Sequence, residues 1–219
     1  MLRYQKGPEP GSLEELRQTP GATWKHSVHG DQREDIRASL LNDQGAVCAY
    51  CQRRIENSNK SMRIEHWLAR SKNAEQQFVW TNLLGVCLGT PKQEGDEDEP
   101  ADGAFHCDLS RKNHSLFLHP VEGFQTDPRD FLTYRADGHV GSGDAKATHD
   151  IRILNLNASQ LVRARKALWS DVEDDVISGR LTPLELANQL QDCQLRPGTP
   201  ASEYVEVKRY ILQWMISTA

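Results

Sequence analysis

The apolar residues of this chain are spaced in two different ways along its length. Through the first two thirds they come in short runs, such as "MRIEHWLA" (residues 62–69), which predicts a strand leading into a loop. The run "FVWTNLLGVC" (residues 78–87) shows no clear period and indicates a short helix or an irregular buried segment. In the last third, apolar residues recur at helical spacing.

Helices are predicted at both ends of the chain. Residues 31–44 place Ile36 and Leu40 on one face, and "SLEELRQ" (residues 12–18) has the Ser and Glu spacing of a capping box. The last third predicts three more helices, with Ser or Thr caps and a stop at Gly179. These three helices cover residues 157–179, 182–193 and 202–218.

Between the two ends, the sequence predicts tight turns and one loose segment. "GAVCAYCQRRI" (residues 45–55) predicts a strand, a turn and a return strand, and residues 128–144 predict a β-hairpin that turns at "ADGH". "DLSRKNHS" predicts a short helix capped by Asp108. Residues 88–105 are rich in Gly, Pro and acids, which is typical of a flexible surface insertion.

Together these elements predict an α+β protein in three parts. An N-terminal helical and extended segment covers residues 1–44. A mixed core covers residues 45–145 and contains the acidic insertion at residues 88–105, and a helical C-terminal region covers residues 146–219. A chain of 219 residues is long enough for one large domain or two small ones.

The net charge of −5 does not exclude a nucleic-acid partner, because the charge is unevenly distributed. The run "EGDEDE" supplies five acidic side chains by itself, whereas residues 51–76 carry six Lys and Arg side chains against three Glu. A basic stretch beside an acidic loop is compatible with binding a polyanion, although an ordinary mixed surface has the same composition.

The chain shows no sign of a membrane or secretory segment. No stretch approaches the roughly 20 apolar residues that a spanning helix needs, and the first residues lack the apolar core of a signal peptide. We therefore expect a cytoplasmic protein that does not contact a membrane. In a reducing cytoplasm disulfides are disfavoured, so grouped cysteines more often bind a metal ion.

Four of the five cysteines have the spacing of a structural zinc site. Cys48 and Cys51 form a C-x-x-C knuckle, in which both thiolates can reach one tetrahedral ion. Redox pairs share this motif, but Cys87 and Cys107 supply the two further ligands that a closed site needs. The insertion between these two adds little loop-closure entropy, so it does not prevent a shared site.

One alternative set of ligands remains open, in which His106 replaces one of the cysteines. The fifth cysteine, Cys193, lies alone in the helical region and is expected to be a plain buried thiol. A tetrathiolate zinc site would contribute folding free energy directly to a core that is short and polar.

The chemistry-bearing motifs follow one another in a fixed order: "CAYCQRRI", "IEHWLARS", "WTNLLGVC" and "HCDLSRKN". This order of knuckle, acid-His, Asn and Cys-acid resembles the HNH endonuclease family, also called the ββα-metal nucleases. With "ILNLNASQLVRAR" further along, the chain resembles in particular the HNH proteins of Septu and retron-associated anti-phage defence systems.

The resemblance implies a ββα-metal core, in which a hairpin and a helix hold one divalent ion. Glu65 and Asp108 fall on the ligand positions, and hard oxygen donors suit Mg²⁺ or Mn²⁺. His66 falls on the position of the general base that deprotonates water, a role that suits an imidazole at neutral pH. Asn82 falls on the position that holds the catalytic loop and orients the imidazole.

The implied function is a metal-dependent endonuclease that hydrolyses phosphodiester bonds in DNA as the effector of a defence system. Basic side chains around the motifs are candidate nucleic-acid contacts. They are Arg63, Arg70, Lys72 and Lys112.

The resemblance also implies partners. The first is an ABC/SMC-like ATPase subunit, and retron variants add a reverse transcriptase with its RNA–DNA product. Apolar faces of the last predicted helix could dock such a partner or cover the protein's own core. Two other functions remain open: a zinc-binding adaptor for nucleic acid or protein without catalysis, and an HNH toxin that cleaves RNA or tRNA.

Overall fold

A computed structural model describes residues 1–89 and 105–218. Within these residues the protein is a mixture of helices and small antiparallel strand pairs, as the sequence predicts. The helices are α1 (Gly11–Gln18), α2 (Trp24–Ser27), α3 (Gly30–Gln44), α4 (Asp108–Arg111), α5 (Pro128–Phe131), α6 (Ala145–Ile153), α7 (Ser159–Ile177), α8 (Pro183–Asp192) and α9 (Val205–Thr218). The strands are β1 (Met62–His66), β2 (Leu83–Cys87), β3 (Thr133–Tyr134) and β4 (Val140–Gly141).

The predicted acidic insertion lies almost wholly outside the described residues, which exclude 90–104. Its two flanks are described, and they meet: the His106 backbone N–H donates a hydrogen bond of 3.1 Å to the Gly89 carbonyl oxygen. The residues on either side of the insertion are therefore held side by side.

The strand pair β1–β2 corrects one prediction. Residues 78–87 form a short 3₁₀ turn, Trp80–Asn82, followed by β2, rather than a helix or an irregular segment. All five residues of β2 are buried, so the strand lacks the alternation that would have revealed it. β2 pairs antiparallel with β1, with Met62 opposite Cys87 and His66 opposite Leu83.

The knuckle at residues 45–55 is also less regular than predicted. It contains a single isolated bridge between Val47 and Arg54 instead of two strands. The Cys48 N–H donates to the Arg53 carbonyl oxygen, and the Gln52 N–H donates to the Cys48 carbonyl oxygen, each at 2.9 Å. Gln52 has a φ of 68°, which closes the turn tightly enough to bring Cys48 and Cys51 to one side of the knuckle.

The N-terminal segment packs into the same core as the rest of the chain. α3 forms where predicted and ends at Gly45, whose φ of 61° is the left-handed conformation that glycine accepts most easily. At its end the Gln44 side-chain amide binds the Gly85 backbone on β2, accepting from its N–H at 2.7 Å and donating to its carbonyl oxygen at 2.8 Å. α1 begins at Gly11 with Pro10 as its N-cap, so the predicted Ser capping box does not form.

The second half of the described chain follows its predictions except at α5, which stands where the predicted hairpin begins, and at α6. β3 and β4 pair antiparallel around the predicted turn, and α8 begins with a complete capping box between Thr182 and Glu185. The short helix α4 begins at Asp108, with Cys107 rather than Asp108 in the cap position. α6 was not predicted as a helix.

The last helix, α9, is largely a core element. Six of its residues are buried, and it packs on α7, α8 and β3. The exposed large apolar side chains of the helical region are Ile177, Leu184, Trp214 and Ile216. Among the described residues, no helix is both long enough and apolar enough to cross a membrane.

Candidate active site

The four predicted cysteines converge on one buried point. The Sγ atoms of Cys48 and Cys107 lie 3.8 Å apart, and those of Cys51 and Cys87 lie 3.6 Å apart. All four sulfur atoms lie within 4.8 Å of one another, and the four residues are buried. The prediction that these four residues come together is confirmed.

Each part of the chain delivers its cysteine through local backbone bonds. The knuckle turn supplies Cys48 and Cys51, and Cys87 is the last residue of β2. Cys107 has a φ of 56°, and its N–H donates a hydrogen bond of 2.8 Å to the Leu154 carbonyl oxygen after α6. The cysteine cluster therefore joins the knuckle, the β1–β2 pair, α4 and the start of the helical region.

The cluster has the dimensions of a tetrahedral zinc site. Four sulfur atoms about 2.3 Å from one zinc ion lie roughly 3.8 Å from one another, which matches the two closest pairs here. Hydrogen bonds from the other three thiols hold the pKa of Cys87 well below its usual range, whereas burial raises the pKa of Cys51 and Cys107. The donor set and the spacing thus both fit Zn²⁺.

His106, the alternative ligand, lies beside the cluster. Its Nδ1 is 3.1 Å from the Cys107 Sγ and 3.8 Å from the Cys87 Sγ. The ring is fully buried, and its Nε2 has no hydrogen-bond partner among the described residues. With Nδ1 this close to sulfur, His106 is placed to donate an N–H···S hydrogen bond to the cluster.

The carboxylates of Glu65 and Asp108 are also brought together, although β1 carries one and α4 the other. The pKa of Glu65 rises to about 8, because burial disfavours its charge and the Asp108 carboxylate repels it. Two carboxylates this close are oxygen donors that one divalent ion could share. In the described part of the chain, the four cysteines are the only grouping of three or more metal-type side chains, so this pair offers fewer ligands.

An arginine that the sequence analysis missed organises this acid pair. Arg111 is fully buried and ion-pairs with Glu65. Its guanidinium also donates to the His66 carbonyl oxygen at 3.0 Å, to the Trp67 carbonyl oxygen, and to the Tyr50 hydroxyl at 3.0 Å. The planar fork of arginine suits this task, since it satisfies several acceptors in fixed directions.

The His66 ring has other neighbours than the Glu65 carboxylate, although the two residues are adjacent in β1. It is buried, it meets the Trp24 ring edge-on at 4.4 Å, and its Nε2 lies 3.0 Å from the Gln77 carbonyl oxygen. Because a carbonyl oxygen only accepts, Nε2 carries the proton, and Nδ1 is the nitrogen that can take one up. Burial lowers the pKa of His66 to about 4, so the imidazole is neutral at pH 7.

Asn82 spans the loop that follows His66. Its Oδ1 accepts a hydrogen bond of 2.6 Å from the Leu68 N–H, and its Nδ2 donates to the Gln76 carbonyl oxygen at 3.0 Å. The His66 ring donates its Nε2–H to the carbonyl oxygen of Gln77, next to the residue that Asn82 binds. Asn82 therefore reaches the imidazole through the backbone, not directly.

The predicted nucleic-acid contacts fall into two groups. The Arg63 guanidinium lies 3.0 Å from the Asp108 carboxylate, and the Arg70 guanidinium lies 5.9 Å from the centre of the Trp24 ring, the ring that covers His66. These two arginines therefore border the acid pair and the histidine. Lys72 and Lys112 are exposed, and Lys112 directly follows α4.

Taken together, the fold and this site define an α+β protein in which a four-cysteine cluster of the zinc type adjoins an acid pair and a buried histidine. Comparison with known proteins relates the chain to a particular group, although no protein-family model matches it. The chain is distantly homologous to proteins of retron and Septu defence systems.

Three relatives carry this homology. The chain is 26% identical over 188 residues to the "Retron Ec83 putative HNH endonuclease" of Escherichia coli, across 69% of this chain and 72% of that protein. It is 23% identical over 188 residues to the Septu protein PtuA of Bacillus mycoides, across 77% of this chain but 25% of that protein. It is 30% identical over 63 residues to the Septu protein PtuB of Bacillus thuringiensis, 29% of this chain and 24% of that protein.

Proposed function

We propose that the protein is a metal-dependent HNH endonuclease that hydrolyses phosphodiester bonds in DNA. The observation that carries this proposal is the meeting of Glu65 and Asp108 at one point, with His66 adjacent in β1. The order β1, β2, α4 supports it, because a ββα-metal core needs two antiparallel strands followed by a helix. The homology to a protein named as an HNH endonuclease supports it as well.

In this proposal the four-cysteine cluster holds a structural zinc ion. Cys107 is one of its ligands and the residue from which α4 starts, so the zinc ion fixes the turn that carries Asp108 and Arg111. The tetrathiolate site is closed, without a free position for water, and is therefore not the catalytic centre. Its contribution is to keep the acid pair assembled.

Glu65 and Asp108 are the residues that would hold a catalytic Mg²⁺ or Mn²⁺. Such an ion would supply Lewis-acid polarisation of the scissile phosphate. In this proposal His66 is the general base: its neutral imidazole would accept the proton of the attacking water through Nδ1, while Gln77 and Asn82 hold the ring and the following loop. Arg63 and Arg70 border the same site and would contact the phosphate strand.

A plasmid-nicking assay with Mg²⁺ or Mn²⁺ tests this proposal. His66→Ala should lower the nicking rate at least about 100-fold, the usual contribution of a general base. His139→Ala is the matched control, because its half-exposed ring lies at the hairpin turn between β3 and β4. Equal nicking by wild type and His66→Ala would refute the assignment of His66.

We further propose that the protein acts in an anti-phage defence system with an ABC/SMC-like ATPase partner, and in retron systems also with a reverse transcriptase and its RNA–DNA. Homology to retron and Septu proteins supports this context. The structure leaves an apolar corner between α7 and α8, where Ile177 is 78% exposed and Leu184 is 71% exposed. This corner is a better candidate for docking than α9, whose main apolar face covers the protein's own core.

A pull-down with the purified ATPase encoded beside this protein tests the docking corner. The double variant Ile177→Lys and Leu184→Lys should lose capture, because it places charge in an apolar contact. The double variant Asn188→Lys and Gln191→Lys adds the same two charges at exposed polar positions of α8 and should be captured normally. Undiminished capture of the double variant would rule out this corner as the docking surface.

A second function is favoured by one specific observation. Both carboxylates of the acid pair are engaged by arginines, Glu65 by Arg111 and Asp108 by Arg63, which is how a purely structural ion network would look. In a zinc-binding adaptor for nucleic acid or protein, this structural role would be the whole function of the acid pair. Tight nucleic-acid binding without cleavage, in the presence of Mn²⁺ and the ATPase partner, would favour the adaptor. Cleavage of RNA or tRNA in place of DNA would favour an HNH ribonuclease.

A further inference from the structure

A pair of stacked rings lies next to the loop that follows His66. His119 and Phe124 are stacked face to face, with ring centres 3.6 Å apart and planes 7° apart. The His119 ring also packs against the Trp67 ring, with ring centres 4.5 Å apart and planes tilted by 47°. We call these three rings, Trp67, His119 and Phe124, the ring stack.

The outer end of the ring stack is open. His119 is buried, whereas Phe124 is 43% exposed. The preceding residue, Gly123, has a φ of 92°, and a side chain there would meet no atom within 4 Å, so the turn projects into open space. The other pairs of rings in the described part of the chain meet edge-on or tilted, which makes this parallel pair distinct.

The inner end of the ring stack is fixed to the candidate active site. Trp67 follows His66 directly, and Arg111 holds its carbonyl oxygen. The Trp67 indole N–H donates a hydrogen bond of 2.9 Å to the Leu118 carbonyl oxygen, just before His119. The stack therefore continues from the catalytic loop outward to the surface.

A lysine lies near the ring stack. The Lys6 amino group donates a hydrogen bond of 2.7 Å to the carbonyl oxygen of Leu83, the residue opposite His66 in the strand pair. It also lies 3.5 Å from the centre of the Trp80 ring. Burial lowers the pKa of Lys6 to about 7, so this side chain is only partly charged at pH 7. The exposed ring rather than this lysine is therefore the feature that suits a nucleotide, since every base has a flat face that can stack on an aromatic ring.

We propose that the exposed face of Phe124 is a stacking platform for an unpaired nucleobase of the substrate strand. The base would extend the ring stack by one more ring, which places the phosphates of the same strand beside the acid pair. This inference rests on the proposed nucleic-acid substrate and names its form: a single strand, or a duplex opened next to the cleavage point. A base that is still paired and stacked in a duplex cannot offer its face to Phe124.

Binding of a short fluorescent oligonucleotide, followed by anisotropy, tests the proposal. The protein carries His66→Ala and receives no added divalent ion, so binding is measured without cleavage. In this background Phe124→Leu should weaken binding of a single strand about tenfold, the usual effect of losing one base–aromatic stack. Phe124→Tyr, which keeps the ring, should bind within about twofold of the parent. Phe105→Leu removes another exposed phenylalanine and is the control for loss of apolar surface.

Oligonucleotides with one abasic site, moved along the strand, give the decisive measurement. One position should weaken binding to the parent but cause no further loss in Phe124→Leu, because both changes remove the same contact. Equal losses for a single strand and a blunt duplex, or independent effects of the abasic site and Phe124→Leu at every position, would overturn the proposal. RNA versions of the same strands show whether the platform distinguishes the sugar.

The outcome is separable from that of the proposed function. Coupling between the abasic site and Phe124, together with an inactive wild type, would keep the platform and favour the adaptor. Nicking that depends on His66 without any such coupling would keep the nuclease and remove the platform.

Discussion

The hairpin region (residues 46–89 and 105–141) and the helical region (residues 145–218) are stabilised by different chemistry. In the hairpin region, regular structure is limited to two short strand pairs and single turns of helix, and its described residues bury six polar or charged side chains. In the helical region, four longer helices pack through apolar faces, and three such side chains are buried.

This difference shows that the hairpin region carries the groups of the candidate functional site. Each buried polar group must find a partner, because an unpaired one costs about 1–3 kcal/mol. The hairpin region meets this requirement with thiols, one buried arginine and bonds from side chains to backbone, and these same groups form the candidate site. The helical region lacks such a constellation and serves mainly to cover the site region. Four substitutions test this difference between the two regions.

The largest effect is expected at the cysteine cluster. Cys51→Ser should lower the free energy of unfolding by about 4 kcal/mol or more and the Tm by roughly 10 °C, because the zinc ligand set is incomplete. Thermal melts with metal analysis of the purified protein measure both changes. Cys193→Ser, in a buried cysteine of the helical region outside the cluster, should keep its zinc content. An unchanged metal content in Cys51→Ser would remove the structural zinc ion from the proposal.

The next largest effect is expected at Arg111. Arg111→Met should cost about 3–5 kcal/mol, because Glu65 is left without its buried partner and two carbonyl oxygens lose their donor. Chemical denaturation gives the value. Adding Glu65→Gln should recover part of the loss, whereas Arg135→Met, at an exposed surface pair, should stay within about 0.5 kcal/mol of wild type. A small effect of Arg111→Met would mean that the stability of the site does not depend on the bonds that Arg111 makes to Glu65 and to the backbone.

A smaller effect is expected at the buried carboxylate of the helical region. Glu206 accepts from Arg129 at 2.6 Å and from Arg209 at 2.7 Å, but Arg129 is 30% exposed and can be solvated when the pair is broken. Glu206→Gln should therefore cost about 2 kcal/mol, less than Arg111→Met. Denaturation of both variants under one condition tests the order. The reverse order would place the more important ion network in the helical region.

At neutral pH the smallest effect is expected at His119, and this effect grows as the pH falls. Burial, with a further contribution from Lys6, lowers its pKa to about 4 in the folded state, against about 6.5 when unfolded. Its contribution to stability is present above pH 6.5 and is lost as the pH falls through 4, by about 2 kcal/mol between pH 7.5 and 5. His119→Phe should flatten the stability profile in this window. Parallel profiles for the two proteins would show that His119 is not buried in its neutral form.

The sequence was informative where local rules apply. The spacing of Ile36 and Leu40 located α3, and the predicted cap at Thr182 located the start of α8. The same rule failed at Ser12, since α1 begins one residue earlier. β2 was missed because a fully buried strand has no polar alternation and cannot be distinguished from a buried helix by its pattern.

The candidate site was only partly accessible to such reasoning. Motif order predicted that the four cysteines come together, and they do. It also assigned Glu65 and Asp108, which interact in the structure, to a catalytic ion, and that role stays a prediction. Arg111 was missed because it stands in the polar run "DLSRKNHS", where nothing local distinguishes a fully buried cation from a surface one. The ring stack was missed for a different reason: the contact between Trp67 and His119 joins segments far apart in the chain, which no local pattern reveals.

Trp24 shows that the candidate site is not confined to the segment that carries the motifs. The Trp24 ring forms one wall around His66, and the Trp24 backbone N–H donates a hydrogen bond of 2.8 Å to the Gln77 side-chain oxygen. The segment before the motifs therefore completes the site. A fragment cut at Gly45 would contain every motif residue and still lack that wall. Transferring this candidate site to another protein, in the laboratory or in evolution, therefore requires transfer of the N-terminal segment as well.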